Sequence, residues 1–387
     1  MDYYELLWFL LPFAAWSGWV AARRSFSSQA ETHAKRLSTD YLRGLDYLLN
    51  EQPDKAIDVF IRLIDVDKDT VETHLALGAL FRRRGEVNRA IRIHQNLIKI
   101  SRLNPQQKAL ATLELGLDYQ RAGLLDRAED LFQELVQFQS YRVLAYRQLL
   151  DIYQQEQDWE KAIRTAWELS QHSGENLNAI IAQYHCEQAE AFQRRGNFEQ
   201  IYQILETVLN IDPQCVRASL TKGYLMLSQP ENTPTAIKTF QWVEQQNPLF
   251  ISEIIDPLET CYRRLNKLEE FTVYLQHILQ HYGGISPLLA LAQRIREQTD
   301  EQQAATFIIQ QLKETPSLKG LAHFIDLTLN QCEENARPHL LLVKEILMKL
   351  LKNYPLYRCK ECGFSGRTLH WQCPSCKQWN TIAPLQN

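Results

Sequence analysis

Glycine and proline are scarce in this chain, with 14 of each among 387 residues. Disordered and low-complexity regions are usually rich in one or both, so we expect the chain to be folded and mostly helical. Hydrophobic residues make up 45% of the sequence, enough for a substantial core. The length exceeds that of a usual single domain, which predicts several folding units or one elongated repeat array.

Basic residues are not in surplus either. The 42 Lys and Arg residues are outnumbered by 46 Asp and Glu residues, giving a net charge of −4, and no long run of like charge occurs. Binding to a phosphate backbone depends on an excess of cations. Nucleic acid is therefore not expected to be the main ligand.

Common catalytic motifs are also lacking. The sequence contains no phosphate-cradling Gly-rich loop, no Ser nucleophile elbow and no His-Glu-x-x-His helix. The histidines are scattered over helical segments, where ordinary surface or core positions are expected. We predict a protein without enzymatic activity.

The chain begins with an apolar stretch. Residues 6–22, LLWFLLPFAAWSGWVAA, contain no charge, and Trp8, Trp16 and Trp19 could lie near membrane interfaces. Cations follow the stretch and carboxylates precede it, so the positive-inside rule places the rest of the chain in the cytoplasm. We predict a single-pass membrane anchor over residues 1–22 and a linker over 23–36. An interfacial helix or a signal peptide is the alternative, although a cleavable signal would carry positive charge before its apolar part.

A register of small and large residues recurs through residues 37–250. Successive copies lie 34, 38, 34, 39 and 34 residues apart. The register residues are Gly44, Ala56 and Phe60; Gly78, Ala90 and His94; Gly116, Ala128 and Phe132; Leu150, Tyr153, Ala162 and Ala166; Ala189, Phe192, Ile201 and Leu205; and Gly223, Ala236 and Phe240.

This pattern resembles the tetratricopeptide repeat. The resemblance implies an all-α fold in which helix pairs stack into a right-handed superhelix with a concave face that binds other polypeptides. Residues 251–353 still show amphipathic helical patterns, but the small register residues become rare. We predict degenerate helical repeats there.

Arginines precede the turn in several repeats, as in FRRRG, YQRAG, FQRRG and CYRRLN. One interpretation is helix chemistry, since cations favour the last turn of a helix and Gly85, Gly123 and Gly196 are placed to be left-handed C-terminal caps. The other is a basic stripe that contacts an acidic partner or anionic headgroups. The two are compatible, and the sequence leaves both open.

Four cysteines form two Cys-x-x-Cys pairs separated by ten residues: Cys359, Cys362, Cys373 and Cys376. Two such knuckles can supply four thiolates in a tetrahedral array, and we predict one zinc or iron ion there. His370 is a fifth candidate, but four thiolates already complete the shell. The other cysteines, Cys186, Cys215, Cys261 and Cys332, are expected to be free thiols buried as small hydrophobic residues. Metal-binding thiolates must stay reduced, which also indicates the cytoplasm.

The C-terminal module, residues 354–387, resembles the rubredoxin family in its paired knuckles. It is much shorter than a free rubredoxin, so electron transfer is the secondary interpretation and docking the primary one. Its charge is close to neutral once the thiolates and metal are included, which disfavours nucleic acid. We expect Tyr357, Phe364, Trp371 and Trp379 to form its apolar shell. We also expect loss of the metal to disorder this module without changing the main melting transition of the repeats.

The order of segments resembles a known family over essentially the whole chain. LLPFAAWSGW is followed by HLALGALFRRRGEVNRAIRIHQNL, by GLDYQRAGLLDRAEDLF and finally by YRCKECGF and LHWQCPSC. These strings are similar to the lipopolysaccharide assembly protein B family. The resemblance implies a scaffold on the cytoplasmic face of the inner membrane, within the lipopolysaccharide assembly machinery, that promotes degradation of the deacetylase LpxC by the membrane protease FtsH. It also implies restraint by the membrane protein PbgA (YejM). The four metal ligands carry over onto the cysteines above, no catalytic residue carries over, and a homodimer is left open.

Replacing residues 6–22 with an unrelated single span tests whether the anchor does more than localise the protein. We expect the swapped protein to stay in the membrane but to lose regulation of LpxC, because the Trp-rich segment would contact a membrane partner. Fractionation and LpxC levels provide the readouts. Normal regulation by the swapped protein would show that the segment only localises the chain.

Overall fold

The computed structural model describes residues 71–99, 103–194, 197–329 and 332–385, together with positions 16, 17, 19, 42–44, 46, 47, 55, 56, 58 and 59. The predicted linker, and all of the predicted anchor except Trp16, Ser17 and Trp19, lie outside these residues. Among the described residues, no helix combines the length and apolarity needed to cross a bilayer.

The chain divides into two compact units, Met1–Gly174 and Glu175–Asn387. The division falls inside the predicted repeat region 37–250, where the sequence pattern gives no sign of it. The helices described in the first unit are α1 Val71–Arg83, α2 Val87–Ile98, α3 Pro105–Arg121, α4 Leu125–Leu135, α5 Arg142–Glu156 and α6 Trp159–Ser173.

The second unit continues with helices and ends in a small sheet. Its helices are α7 Asn178–Arg194, α8 Phe198–Ile211, α9 Val216–Leu227, α10 Thr233–Gln246, α11 Ile251–Arg264, α12 Leu268–His281, α13 Ile285–Gln298, α14 Glu301–Glu314, α15 Leu318–Thr328 and α16 Arg337–Asn353. Its strands are β1 Tyr357–Cys359, β2 Ser365–Gly366 and β3 Ile382–Pro384. Both neighbours of β1 are antiparallel, in the order β2-β1-β3.

Local sequence signals define several helix ends. Asn104 and Gln107 form a reciprocal capping box before α3, whose first residue is Pro105. Gly85 and Gly123 have positive φ values after α1 and α3, which confirms two of the three predicted glycine caps, and Gly196 lies outside the described residues. The helix pairs expected from the register are present from Val71 onward, which confirms the helical-repeat assignment there, whereas the first copy lies largely outside the described residues.

The register glycines lie where two helices of a pair make their closest approach. A Cβ atom built on Gly116 would lie 2.6 Å from the Phe132 ring, and one on Gly223 would lie 2.5 Å from the Phe240 ring. Both aromatic rings are fully buried. Each glycine is thus required because an aromatic side chain sixteen or seventeen residues later occupies the space of its missing side chain.

His94 occupies this aromatic position in the pair α1–α2. Its ring lies against Gly78, as the phenyl rings do in the other pairs. Unlike them, its Nδ1 atom lies 2.5 Å from Asp118 Oδ2 on α3, and both side chains are fully buried. The histidine therefore joins its own helix pair to the next one by a directional polar contact.

The repeated arginines connect successive helix pairs. Arg82, near the end of α1, forms ion pairs at 2.7 Å with Glu114 and Asp118 on α3. Arg263, near the end of α11, bonds Glu297 on α13 at 3.0 Å. In both cases the first helix of one pair is linked to the first helix of the next. Arg82 and Arg263 also lie in the last turns of their helices, as the helix-chemistry interpretation expected. The ion pairs are an additional role that neither interpretation contained, because the partners lie more than thirty positions away.

Gly116→Ala tests the close approach of α3 and α4. Alanine has the higher helix propensity, which alone would stabilise the helix by about 1 kcal/mol. We expect the clash with Phe132 to outweigh this and to lower the free energy of unfolding by about 1–3 kcal/mol in urea denaturation. Adding Phe132→Leu should recover part of that loss, whereas Gln106→Ala, at an exposed position of α3, should change stability by less than about 0.5 kcal/mol. A stabilising Gly116→Ala would contradict the packing described here.

Candidate metal centre

The first knuckle is a tight turn that follows β1. The backbone N–H of Cys359 donates to the Phe364 carbonyl at 2.7 Å, and Gly363 N–H donates to the Cys359 carbonyl at 3.2 Å. Gly363 has a φ of 75°. A residue without a side chain adopts this left-handed conformation at least cost, and it directs nearby amides toward the sulfurs.

The second knuckle repeats the same geometry. Cys373 N–H donates to the Gln378 carbonyl and Lys377 N–H donates to the Cys373 carbonyl, both at 2.9 Å. Lys377, at the position equivalent to the glycine of the first turn, has a φ of 60°. The two turns are thus equivalent in backbone structure, although only one of them contains the expected glycine.

These turns bring the four cysteine sulfurs within 4.8 Å of one another. The Cys359 and Cys376 sulfurs are 3.8 Å apart, and those of Cys362 and Cys373 are 3.6 Å apart. A regular tetrahedron with metal–sulfur bonds of about 2.3 Å has sulfur–sulfur edges of about 3.8 Å. The arrangement fits one tetrahedrally coordinated metal ion, and its size does not distinguish zinc from iron.

The thiols differ in their ease of ionisation. The backbone N–H of Cys362 and the Thr381 hydroxyl, which lies 3.3 Å from the sulfur, lower the pKa of Cys359 to about 6. The amide of Gln378 acts in the same direction on Cys376, but burial and the three neighbouring thiols outweigh it and raise the pKa of that thiol to about 11. Four adjacent thiolates repel one another unless a cation lies between them. The donor set therefore suits a divalent ion.

The other candidate ligands lie outside the cluster. His370 is exposed, and its Nε2 atom pairs with the Thr368 hydroxyl at 2.9 Å. Of the remaining cysteines, Cys186, Cys215 and Cys261 are buried free thiols, as predicted, and Cys332 is half-buried.

The two tryptophans of the module contact the repeat helices rather than the module's own core. Trp371 stacks on Phe250 with ring centroids 5.6 Å apart and an interplanar angle of 12°. Trp379 meets Tyr184 of α7 edge-on at 5.8 Å. The prediction that both tryptophans belong to the module's own apolar shell was wrong, whereas Tyr357 and Phe364 do pack beside the buried cysteines. Contacts between residues so distant along the chain leave no periodic signal in the sequence.

A buried arginine also lies over the ring of Trp371. The Arg217 guanidinium lies 5.9 Å from the centroid of the indole, and only 2% of its surface is exposed. It also pairs with Glu187 at 2.8 Å and Glu190 at 2.5 Å, both on α7. The contact of Trp371 with Arg217 therefore connects the indole to an ion-pair network between α7 and α9.

Two further contacts fix the strands of the module on the helices. The Tyr357 hydroxyl donates to Glu253 Oε1 on α11 at 3.0 Å, and burial raises the pKa of this carboxyl group. Ala383 of β3 belongs to the apolar cluster formed by α9–α13. The module thus packs against the core of the second unit. These contacts predict that loss of the module destabilises the neighbouring repeats, in contrast to the independence expected from the sequence.

Cys376→Ser tests this dependence. Loss of a ligand should prevent tight metal binding and disorder the module, which removes Trp371 and Trp379 from the repeat helices. Because loss of a packed tryptophan costs about 3 kcal/mol, we expect the melting transition of the second unit to fall by about 6–12 °C. Calorimetry with hydrogen exchange should show faster exchange in α9 and α11 but not in α3. Cys332→Ser is the control, since its sulfur is outside the cluster; an unchanged transition in Cys376→Ser would show that the module is energetically independent.

Comparisons with known proteins agree with both parts of the fold. A family model described as a rubredoxin metal binding domain matches residues 357–384, and a tetratricopeptide repeat model matches 73–109. The crystal structure of the MamA protein is similar at 19% identity and a TM-score of 0.31, covering 48% of this chain and 96% of that one, which is too low to add to the assignment.

Curated relatives match over nearly the whole chain. Lipopolysaccharide assembly protein B of Escherichia coli strain K12 is 38% identical over 383 residues, which cover 99% of this chain and 98% of the relative. The protein of the same name from Haemophilus influenzae is 35% identical over 392 residues, with the same coverage. This similarity spans the repeats and the cysteine module together, and the chain therefore belongs to the lipopolysaccharide assembly protein B family.

Proposed function

We propose that the protein is a non-enzymatic scaffold on the cytoplasmic face of the inner membrane that presents LpxC to the protease FtsH. The observation that carries this proposal is the similarity to lipopolysaccharide assembly protein B over 99% of the chain. Regulated removal of an enzyme of lipid A synthesis would connect such a scaffold to lipopolysaccharide assembly. PbgA would restrain it by contacting the predicted N-terminal anchor.

The repeats supply surfaces suited to this role. Stacked helix pairs bury their apolar sides against each other and leave extended outer surfaces on which a polypeptide can lie. Several large apolar side chains of the first unit are partly exposed, including Leu80, Leu124, Leu144 and Trp167. An anchored scaffold would also raise the effective concentration of its partners near a membrane protease.

The metal module would give the second unit a fixed docking surface. A bound metal ion supplies the cross-link among four thiolates that so small a module needs in order to fold. This chain's own residues would then set the position of the module, through the contacts of Trp371 with Phe250 and Arg217 and the hydrogen bond of Tyr357 to Glu253. A partner would recognise the module and the adjoining helices as one surface.

Electron transfer is the second candidate, because the Cys362 side chain is exposed at the surface. An iron ion held there would lie close to solvent and to any redox partner. The two functions differ in their metal requirement. Docking needs only a tetrahedral ion, whereas electron transfer needs one that changes oxidation state.

Turnover of LpxC in cells that lack the native protein tests the scaffold proposal. We expect the wild-type chain to shorten the half-life of LpxC in an FtsH-dependent manner. Trp371→Ala should retain one metal ion per chain yet lengthen that half-life several-fold, because the module loses its position on Phe250 and Arg217. Cys332→Ser should behave as wild type. LpxC turnover that is independent of the protein would exclude the proposed role.

Metal replacement separates the two candidates. Protein loaded only with zinc should support degradation of LpxC by purified FtsH as well as iron-loaded protein does. Activity restricted to the iron form, with a visible absorption band that disappears reversibly on reduction, would favour electron transfer.

A further inference from the structure

Helix α16 exposes more large apolar side chains than any other helix among the described residues. Six of its residues are between 43% and 57% exposed: Leu341, Leu342, Val343, Ile346, Met348 and Leu350. Isolated exposed aliphatic residues are common on protein surfaces, but a contiguous group usually marks a contact site.

Four of the exposed residues form a stripe on the helix, whereas Leu341 and Met348 lie on another side of it. Leu342, Ile346 and Leu350 are spaced by four residues, so they lie on one face, with Val343 beside them. A different face of α16 packs against α15, where Leu347 contacts the cluster of Ala322 and Ile325. The stripe is therefore not the side that anchors α16 to its own unit.

Cations are concentrated on the same helix. The segment Arg337–Asn353 carries four cations, Arg337, Lys344, Lys349 and Lys352, against the single carboxylate Glu345, although the whole chain has a net charge of −4. Lys349 lies three residues after Ile346 and borders the stripe. It pairs with Glu345 at 2.7 Å, but both side chains are well exposed, and such pairs exchange readily for other anions.

We propose that the outer face of α16 lies against an anionic lipid surface, with Leu342, Ile346 and Leu350 inserted among the headgroups and acyl chains. An apolar stripe bordered by lysines is typical of helices that lie in a membrane interface. Anionic headgroups complement Lys349 and Lys352, whereas Lys344 pairs with Asp326 of α15 at 2.5 Å. Each cation near such a surface contributes about fivefold to binding. This contact would be additional to the predicted N-terminal anchor.

Two other occupants fit the face less well. A second copy of the chain would bring two positively charged helices together, which is electrostatically unfavourable. A partner helix usually enters a groove, whereas this face is the convex side of a single helix. A planar lipid surface accepts a convex face without a groove.

Hydrogen exchange of the full-length protein with vesicles tests the proposal. The vesicles contain phosphatidylcholine alone or with about 30 mol% phosphatidylglycerol, near the anionic content of a charged leaflet. We expect amides of residues 342–350 to exchange about fivefold more slowly with the anionic vesicles than with the neutral ones. Ile346→Glu combined with Leu350→Glu should abolish this difference, and Lys349→Gln combined with Lys352→Gln should reduce it.

Val273→Glu is the matched control, because Val273 is 65% exposed on α12, outside the stripe, and its replacement should leave the slower exchange intact. Equal exchange with both vesicle types, or slower exchange that persists in Ile346→Glu/Leu350→Glu, would overturn the proposal. Slower exchange of the amides of residues 342–350 in the absence of lipid would also overturn the proposal. Slowing that depends on protein concentration would indicate a second copy of the chain, and slowing that requires added LpxC would indicate a protein partner. These readouts do not involve LpxC turnover, so they fail independently of the proposed function.

Discussion

Neither helix of a repeat can cover its apolar face alone, and this constraint governs both units of the chain. A pair such as α3–α4 closes only because Gly116 makes room for Phe132, and it is completed only when the next pair stacks on it. The ion pairs of Arg82 with Glu114 and Asp118 lie along the same stacking direction. Apolar coverage sets the spacing of the helices, and the polar contacts specify which pairs are neighbours.

The cysteine module, which is not helical, likewise depends on contacts with neighbouring elements. Its own core is small, consisting mainly of the buried cysteines, Ile382 and a few adjacent side chains. A metal ion held by the four cysteines would provide the local order, while Trp371 and Trp379 position the module on α7 and on the segment before α11. Such a site would be structural in two senses, because it would fold the module and would also keep apolar surface of the adjacent helices covered.

Local patterns predicted much of this structure. The small and large register residues identified the helix pairs, since Gly78, Gly116 and Gly223 each lie against a large ring, and the spacing of the cysteines identified the four sulfurs that come together. The docking of the module was not predictable, because Trp371 and Phe250 are far apart in sequence and no repeat relates them. The role of Arg82 was ambiguous for a similar reason. Its charge was visible in the sequence, but its partners on α3 depend on how the helix pairs α1–α2 and α3–α4 stack.

His94 shows how one exception to the register can specify which helix pairs are neighbours. A phenyl ring at this position would find a suitable apolar neighbour in several repeats, and arrays of interchangeable repeats are prone to pairing out of order while they fold. The imidazole instead requires a carboxylate, which Asp118 of the following helix pair supplies in a fully buried position. A mispaired array would leave both polar groups buried without partners, at considerable energetic cost. Together with the ion pairs of Arg82, this contact therefore favours the pairing of α1–α2 with α3–α4 over slipped arrangements of these repeats.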